Sequence, residues 1–545
     1  LSPILFLLVA QTFSNKLEIN PNIRGLNISG VEILQSLFAD DTDLFLKASI
    51  ESVKAVMVEL RTFAQYSGCK ANIVKTRCIP LGRARFNTSL LASLKNVYGD
   101  DFITNNFTAL GITYRNDGSL RDIVNSNYND KLIKVRSWIN RWNKRDLTIM
   151  GKCTIIKTLL FSQLTYLVSP LPRPDASFIK IFDTTIFHFL WGCKRDKIKR
   201  EIITRNKEHG GLGLFYLSDF IIGLKTSLIS KLLNNSFRHT WKEIMIKQLK
   251  FPDHITISVE NGLAKINCHF TQDVLNCYTE WKISSANAAL GSIDHCVWSN
   301  PAITDIGSKL WNKHLIDKGI FYISDFLSID QSTLLNYDMF INKWELTPNT
   351  TISKTDYCNI IMGIRRYNCP SVNNRNIEFV DSNIKLHFLL SSTGQVKGSK
   401  IRDKMYNCIC PNDLLPLRQW VNDLNSQPID WAVVLSNLFF FVSKNFKLIQ
   451  FQYKLLMRIT TCRYMRHKMK IVTDTPMCSL CNTYLETIPH IYLHCIHTNS
   501  FTKILEDFIK RKVDRNYRDP TKINFIVCNH TSQIINYFNI VAKWY

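Results

Sequence analysis

"LFADDTDLFL", Leu37 to Leu46, sets three carboxylates, Asp40, Asp41 and Asp43, inside a run that is otherwise apolar. Apolar residues on both sides of the Asp40–Asp41 doublet read as two short strands with the carboxylates at or near their connecting turn. Two meanings fit that placement. One is a solvated turn between strands. The other is half of a metal site, because adjacent carboxylates repel and a divalent cation between them offsets the repulsion, as two-metal phosphoryl transfer requires. Taken alone, the ten residues favour the turn, so the residues around them have to decide.

The surrounding chain is long and basic. It has 545 residues, 46% hydrophobic and 11% aromatic, enough for several folded domains. Lys plus Arg number 68 against 44 Asp plus Glu, a formal charge of +24. A polyanion such as nucleic acid is therefore the first partner to consider, ahead of an anionic membrane surface. The apolar run Pro3 to Ala10 is far short of the ~20 residues that a helical span needs, and no basic segment precedes it as in a signal peptide. No membrane association is expected. The chain opens at Leu1 without Met, inside an apolar segment, and reads as a fragment. Sixteen cysteines scattered without a dense framework suit reduced thiols in the nucleus or cytoplasm.

Four segments differ in character. Residues 1–115 mix β-like runs (Val31 to Phe38, Leu44 to Leu46) with a helical stretch, Ser52 to Tyr66, in which Val53, Val56, Leu60 and Phe63 recur at helical spacing. Residues 116–235 turn helical and basic, interrupted by the Pro170 to Pro174 turn and the Gly210 to Gly213 loop. Residues 236–445 carry helix signals and few distinctive residues. Residues 446–545 hold the one tight cysteine cluster. No internal repeat or low-complexity tract is present. An α+β class follows, with antiparallel strands and helices first and mainly helical segments after.

In the last segment Cys478, Cys481, His490 and Cys495 follow the pattern C-x2-C-x8-H-x4-C. Thiolate and imidazole suit tetrahedral zinc, and the x2 spacing lets two sulfurs face one ion from a tight turn. A C-x2-C pair alone proves little in a chain with this many cysteines; the added His and Cys make the pattern specific. His494 is an alternative to Cys495 for the fourth position. Such a metal stabilises a local fold that short segments cannot hold by themselves.

"KLIKVRSWINRWNKRDL" places Leu132, Val135, Ile139 and Trp142 on one helical stripe, and Lys134, Arg141 and Arg145 on another with Trp138 beside them. One face packs and the other can meet phosphate without sequence readout; an ordinary amphipathic helix with a solvated basic face is the plainer reading. "CKRDKIKR", Cys193 to Arg200, offers Lys194, Arg195 and Lys197 to the same polyanion, or is a solvated loop. "GGLGL", Gly210 to Leu214, lacks the context of a phosphate cradle and reads as a turn.

Ordered along the chain, "LSPILF" (Leu1 to Phe6), "LFADDTDLFL", "SGCKANIVKT" (Ser67 to Thr76) and "LGITY" (Leu110 to Tyr114) resemble the second half of the palm in reverse transcriptases of LINE-type (non-LTR) retrotransposons. "WINRWNKRDLTIMGKCTIIKTLLFSQLTYL", "FHFLWG" and "GGLGL" are similar to that family's thumb and following region, and "QYKLLMRITT" with the cysteine cluster to its C-terminal zinc knuckle. The resemblance implies a partial palm over 1–115, a basic helical thumb over 116–235, a helical middle of unknown role over 236–445 and a zinc-knuckle end over 446–545. Asp40 and Asp41 match the family's metal-binding pair, holding Mg2+ or Mn2+, with Asp40 the main catalytic ligand. Lys75 matches a cation placed to protonate or neutralise departing pyrophosphate. Ser2, Pro3, Phe38, Ala39 and Asn72 fall where the family shapes its template and nucleotide pocket, and Leu110 and Gly111 where it supports the primer end. Cys478, Cys481, His490 and Cys495 match the knuckle ligands, held by Zn2+.

The implied activity is RNA-directed DNA polymerisation, with RNA template, DNA primer or target and deoxynucleoside triphosphates as partners. The family has another catalytic Asp upstream of the "LSP" block, where this sequence begins. Two carboxylates from one turn do not position both metals, so the chain is expected to be inactive by itself. The alternative is a non-catalytic, zinc-dependent RNA- or DNA-binding protein derived from such an element.

Overall fold

The computed structural model describes residues 2–38, 41–72, 74–192, 195–234, 236–265, 268–284, 295–300, 303–305, 307–329, 333–348, 350–368, 397–403, 411–440, 444–471 and 475–544. The fold is mixed and helix-rich, with four two-stranded antiparallel sheets among the described residues. Two units, each assembled from separate stretches of chain, make it up. One comprises Leu1–Asp130, Leu167–Pro174 and Ile221–Met405; the other comprises Lys131–Tyr166, Asp175–Phe220 and Tyr406–Tyr545. The segment read as 1–115 thus lies within the first unit and 446–545 within the second, while 116–235 and 236–445 are each divided between them.

In the first unit, helix α1 (Ser2–Ile19) precedes two hairpins, β1 (Leu26–Ile28) with β2 (Val31–Ile33), and β3 (Gln35–Phe38) with β4 (Asp41–Leu44). The first hairpin turns through Ser29 and Gly30, both at positive φ (54° and 79°), which matches the right-handed strand twist. The second runs from Gln35↔Leu44 to Phe38↔Asp41. Residues 39 and 40 fall between its paired ends, and Ala39 and Asp40 lie outside the described residues. Helix α2 (Ile50–Ser67) starts where the Ser49 side chain accepts the Ser52 N–H at 3.1 Å and stops at Gly68, φ 73°. Its inward face brings Val56, Leu60 and Phe63 onto Phe13 and Leu17 of α1, with Leu34, Leu44 and Leu46 closing the cluster. The Asp-rich hairpin is thereby fixed to two helices through its apolar face.

Farther along, α3 (Thr88–Tyr98) precedes a third hairpin, β5 (Asn106–Ala109) with β6 (Ile112–Arg115), which turns through Leu110 (φ 50°) and Gly111 (φ 79°). Asn127, buried on α4 (Leu120–Asn143), accepts the Thr113 N–H at 2.8 Å and donates to its carbonyl at 2.7 Å. The hairpin is clamped by a side chain that imitates a peptide group. The same unit contains a separate core around Trp298, Phe326, Phe340 and Tyr357. It also contains a partly buried charged network: Arg173 pairs with Asp273 (2.7 Å) and Glu280 (2.7 Å), and Lys225 with Asp273 (3.2 Å) and the Leu171 carbonyl (2.8 Å).

The second unit takes up the later part of α4, where Leu132, Val135 and Ile139 are buried as the helical stripe requires. Phe161 and Phe182 pack edge to face at 5.3 Å, and the helix Ala176–Trp191 ends at Gly192, φ 64°. The Gly210–Gly213 loop is structural: a Cβ at Gly211 would lie 2.0 Å from the Arg205 carbonyl oxygen, and the Gly210 carbonyl accepts the buried Tyr453 hydroxyl at 2.9 Å. Asp183 accepts the Leu217 N–H at 2.9 Å at the start of the helix Leu217–Leu233.

Candidate metal centre

The donors of Cys478, Cys481, His490 and Cys495 all lie within 4.8 Å of one another. The first two come from a tight hairpin. Its ends are joined by Cys478 N–H to the Tyr484 carbonyl (2.7 Å) and Glu486 N–H to the Pro476 carbonyl (2.9 Å), and Asn482 takes up a left-handed conformation (φ 55°) straight after Cys481. Asn is one of the few side chains that tolerates that conformation. The other two donors come from a single π-turn, His490–His494, closed by Cys495 N–H to the His490 carbonyl at 2.7 Å. This closure over five residues turns the imidazole and the Cys495 thiol to one side.

Cys478 and Cys495 sulfurs are 4.0 Å apart and Cys481 Sγ is 3.3 Å from His490 Nε2. Tetrahedral zinc with ordinary bond lengths places such donors ~3.5–3.8 Å apart, so the cluster could hold a metal ion such as zinc with small adjustments. Cys478 and Cys495 are fully buried and His490 nearly so. His494 is exposed and stands outside the cluster, which settles the fourth position on Cys495. Burial pushes the Cys478 thiol up despite the N–H groups of Cys481 and Leu480 that face it. The N–H groups of Thr483 and Tyr484, with His490 adding to them, pull Cys481 down to about 6. A thiol so disposed is ready to bind as thiolate.

Two further residues brace the cluster. The buried Glu486 carboxylate accepts the N–H groups of Ser479 (2.9 Å) and Arg463 (2.7 Å), tying the hairpin to the first turn of the helix Arg463–Lys468. Burial raises the Glu486 pKa, but these N–H groups outweigh it and the carboxyl sits below its usual range. Lys522 donates to the Leu493 carbonyl and to Asn499 Oδ1, and its charge faces the Cys495 sulfur. Three thiolates around a divalent ion leave one net negative charge, which an ammonium group there offsets. Sequence reading missed both residues, since neither has a local pattern linking it to the ligands.

The other expected residues are dispersed. Asp41 is exposed at the start of β4; Asp43 is half-buried, its pKa raised by burial and then by the Asp41 charge. Among the described residues no third ligand joins them in a metal-holding group. Phe38 is 63% exposed. Ser2 and Pro3 open α1, and their side chains lie outside the described residues. Lys75 is exposed in a turn whose backbone Asn72 holds, accepting the Lys75 N–H on Oδ1 at 3.2 Å and on its carbonyl at 3.0 Å. Leu110 and Gly111 form the hairpin turn described above.

Lys134, Arg141 and Arg145 are exposed on or just after α4 and Trp138 is half-buried; Arg145 lies over the Trp142 ring at 4.7 Å. An open groove of about 420 Å³ is lined by Ile133, Arg136, Ser137, Asn140, Arg141 and Lys144. Arg136 and Lys144 were not singled out from the sequence, although their spacing from Asn140, four residues each way, was the available signal. Lys194 lies outside the described residues, and Arg195 and Lys197 are exposed. No described helix is long and apolar enough to cross a membrane. No protein-family model matches the chain.

Proposed function

We propose that the chain is a portion of an RNA-directed DNA polymerase of the LINE-type retrotransposon kind, and that by itself it grips nucleic acid without adding nucleotides. The observation that carries this reading is an order of local structures. An antiparallel hairpin closes with Phe38 paired to Asp41; a second turns at Leu110 and Gly111; a helix with an exposed basic groove follows; a four-donor Cys/His cluster comes last. In this reading Asp40 and Asp41 contribute to holding Mg2+ or Mn2+, Lys75 offers a cation to pyrophosphate, and Leu110 and Gly111 support the primer end. Ser2, Pro3, Phe38, Ala39 and Asn72 border the nucleotide and template pocket. Arg136, Arg141 and Lys144, with Lys134, Arg145 and the 194–197 run, meet the phosphates of RNA template and DNA primer. Zinc in the Cys/His cluster holds its end of the chain together, and the site of action is the nucleus or cytoplasm, where such templates occur. Two-metal transfer needs a further carboxylate facing the hairpin, and among the described residues no third ligand joins Asp41 and Asp43 in a metal-holding group, so dTTP incorporation is expected to be absent.

The test is anisotropy of a labelled poly(rA)/oligo(dT) template–primer at 50 and 200 mM salt, with primer extension in Mg2+ alongside. Binding should weaken steeply with salt, and the triple change Arg136→Ala, Arg141→Ala, Lys144→Ala should weaken it roughly tenfold or more. Salt-indifferent binding would count against the reading, and incorporation that Asp40→Ala abolishes would overturn the inactive part of it. A second reading, a non-catalytic zinc-dependent RNA- or DNA-binding protein, is favoured by the Cys/His group being the one metal-holding group among the described residues. It requires binding to fall when Cys478 and Cys481 are changed and to ignore Asp40→Ala.

A further inference from the structure

The helix Gln533–Trp544 carries a buried lysine, Lys543, whose side chain meets a buried cysteine, Cys528. The Lys543 ammonium donates to the carbonyls of Phe525 and Ile526 (3.1 Å to the second) at the end of the short helix Ile523–Val527, and to Cys528 Sγ at 3.2 Å. A cation suits the carbonyl end of a helix, which accounts for the first two contacts. It does not account for the sulfur. Of the three acceptors only the thiol can change its oxidation state.

Two features set this cysteine apart. Its backbone is left-handed, φ 58°, at a helix end where Gly is the favoured residue, so a side chain is kept there against backbone strain. Its surroundings are closed: the thiol faces the Phe525 carbonyl at 3.7 Å, and the Phe525 ring lies 5.5 Å from the Lys543 nitrogen. Burial pushes the thiol up and the ammonium down, which favours neutral thiol beside free amine, whose nitrogen has a lone pair to form a bond. That burial keeps out metal ions and polar oxidants. Dioxygen, small and apolar, enters through ordinary fluctuations of the packing.

We propose that Lys543 and Cys528 are a modification site at which dioxygen forms a covalent N–O–S bridge, locking the helix Gln533–Trp544 to the turn that follows Ile523–Val527. The S–O and N–O bonds form as the O–O bond, the S–H bond and one N–H bond of the amine break. Sulfur and nitrogen each give up two electrons, and these reduce dioxygen: one oxygen atom stays in the bridge and the other leaves as water with the two released hydrogens. The 3.2 Å separation suits an intervening oxygen, reached by a small closing motion, whereas a direct S–N bond demands a much larger one. An added thiol reverses the change, since four thiols oxidised to two disulfides return the Cys528 thiol and the Lys543 amine and release the bridging oxygen as water. The bridge is a redox state of the chain and does not depend on what the chain binds.

The experiment holds the full chain overnight in air-saturated buffer, with a second sample under nitrogen and a phosphine reductant. Both are unfolded, alkylated at free thiols, cut with chymotrypsin, which cleaves between the two residues at Tyr537 and Phe538, and mapped by mass spectrometry. In air the peptides bearing Cys528 and Lys543 should be recovered joined, heavier than their sum by one oxygen and lighter by two hydrogens, and a thiol should part them. Under nitrogen they should be separate, with Cys528 alkylated. The two residues stand 15 apart, and the amides of Ile526 and Cys528 should exchange roughly a hundredfold more slowly in the bridged chain, as a cross-link closing a loop of that length implies. Lys543→Arg keeps a cation for the carbonyls but offers no nucleophilic amine, so it should leave Cys528 alkylatable after exposure to air. Parent chain whose Cys528 stays fully alkylatable in air overturns the inference. So does recovery of Cys528 as a sulfinic acid with Lys543 free, or of joined peptides without the added oxygen.

Discussion

Removal of the metal from the Cys/His cluster should open the segment around it while the rest of the second unit stays folded. The hairpin Pro476–Glu486 orders 11 residues, at a backbone cost of about 16 kcal/mol. Against this stand three backbone hydrogen bonds, Cys478 to Tyr484, Asn482 to Cys478 and Glu486 to Pro476, worth about 3 kcal/mol in total. The two charge-assisted bonds to the Glu486 carboxylate add about 4 kcal/mol. A deficit of about 9 kcal/mol remains, which lies near the lower end of the ~10–16 kcal/mol that a structural zinc supplies. Hydrogen exchange read by mass spectrometry checks this, with metal content measured on the same samples. In the zinc-loaded chain the amides of Cys478, Asn482, Glu486 and Cys495 should be protected. After chelation, or in Cys478→Ser, they should exchange like a free peptide, while the helix Ala176–Trp191 keeps its protection. Unchanged protection in samples shown to be metal-free would refute the reasoning.

Three further outcomes follow from the same structure. Lys522→Met removes the ammonium facing Cys495 and should lower zinc affinity by about 10–100-fold in a chelator competition, with one equivalent still bound at saturation. Asp273→Ala leaves the buried Lys225 and Arg173 without their shared carboxylate and should cost about 3–5 kcal/mol in denaturant unfolding, with Asp273→Asn costing less. Burial raises the Asp183 carboxyl to about 6, against the Leu217 N–H, which favours the charged form. A carboxyl raised on folding binds its proton more tightly in the folded chain, so its contribution grows as pH falls through 6. Between pH 7.5 and pH 5 it should add about 1.4 kcal/mol of stability, a gain that Asp183→Asn lacks.

What could be read in advance was what neighbours in the chain decide. The strand pairing that ends at Phe38 and Asp41 follows from apolar runs on either side of a short connection, and the body of α2 from Val53, Val56, Leu60 and Phe63 at helical spacing, while its caps at Ser49 and Gly68 emerged only in the folded chain. The inward stripe of α4 and the four donors of the Cys/His cluster likewise follow from spacing along a helix or a turn. The choice between Cys495 and His494 did not, because adjacent residues satisfy the same pattern; the π-turn chose by turning one in and the other out.

Tertiary packing also decided which distant partners meet. Glu486 reaches back 23 residues to Arg463, Lys522 reaches Leu493 across 29, and Arg173 finds Asp273 at a separation of 100. A chain can encode a turn or a ligand spacing in a few residues, because the geometry closes over a few bonds. Pairings at long separation have no such local signature, since closing the loop costs entropy whichever residues lie at its ends and only the packing within each unit selects among them. The sequence by itself thus determined that a metal-ready cluster and an Asp-bearing hairpin exist. The folded chain determined which carboxylate and which ammonium brace the cluster.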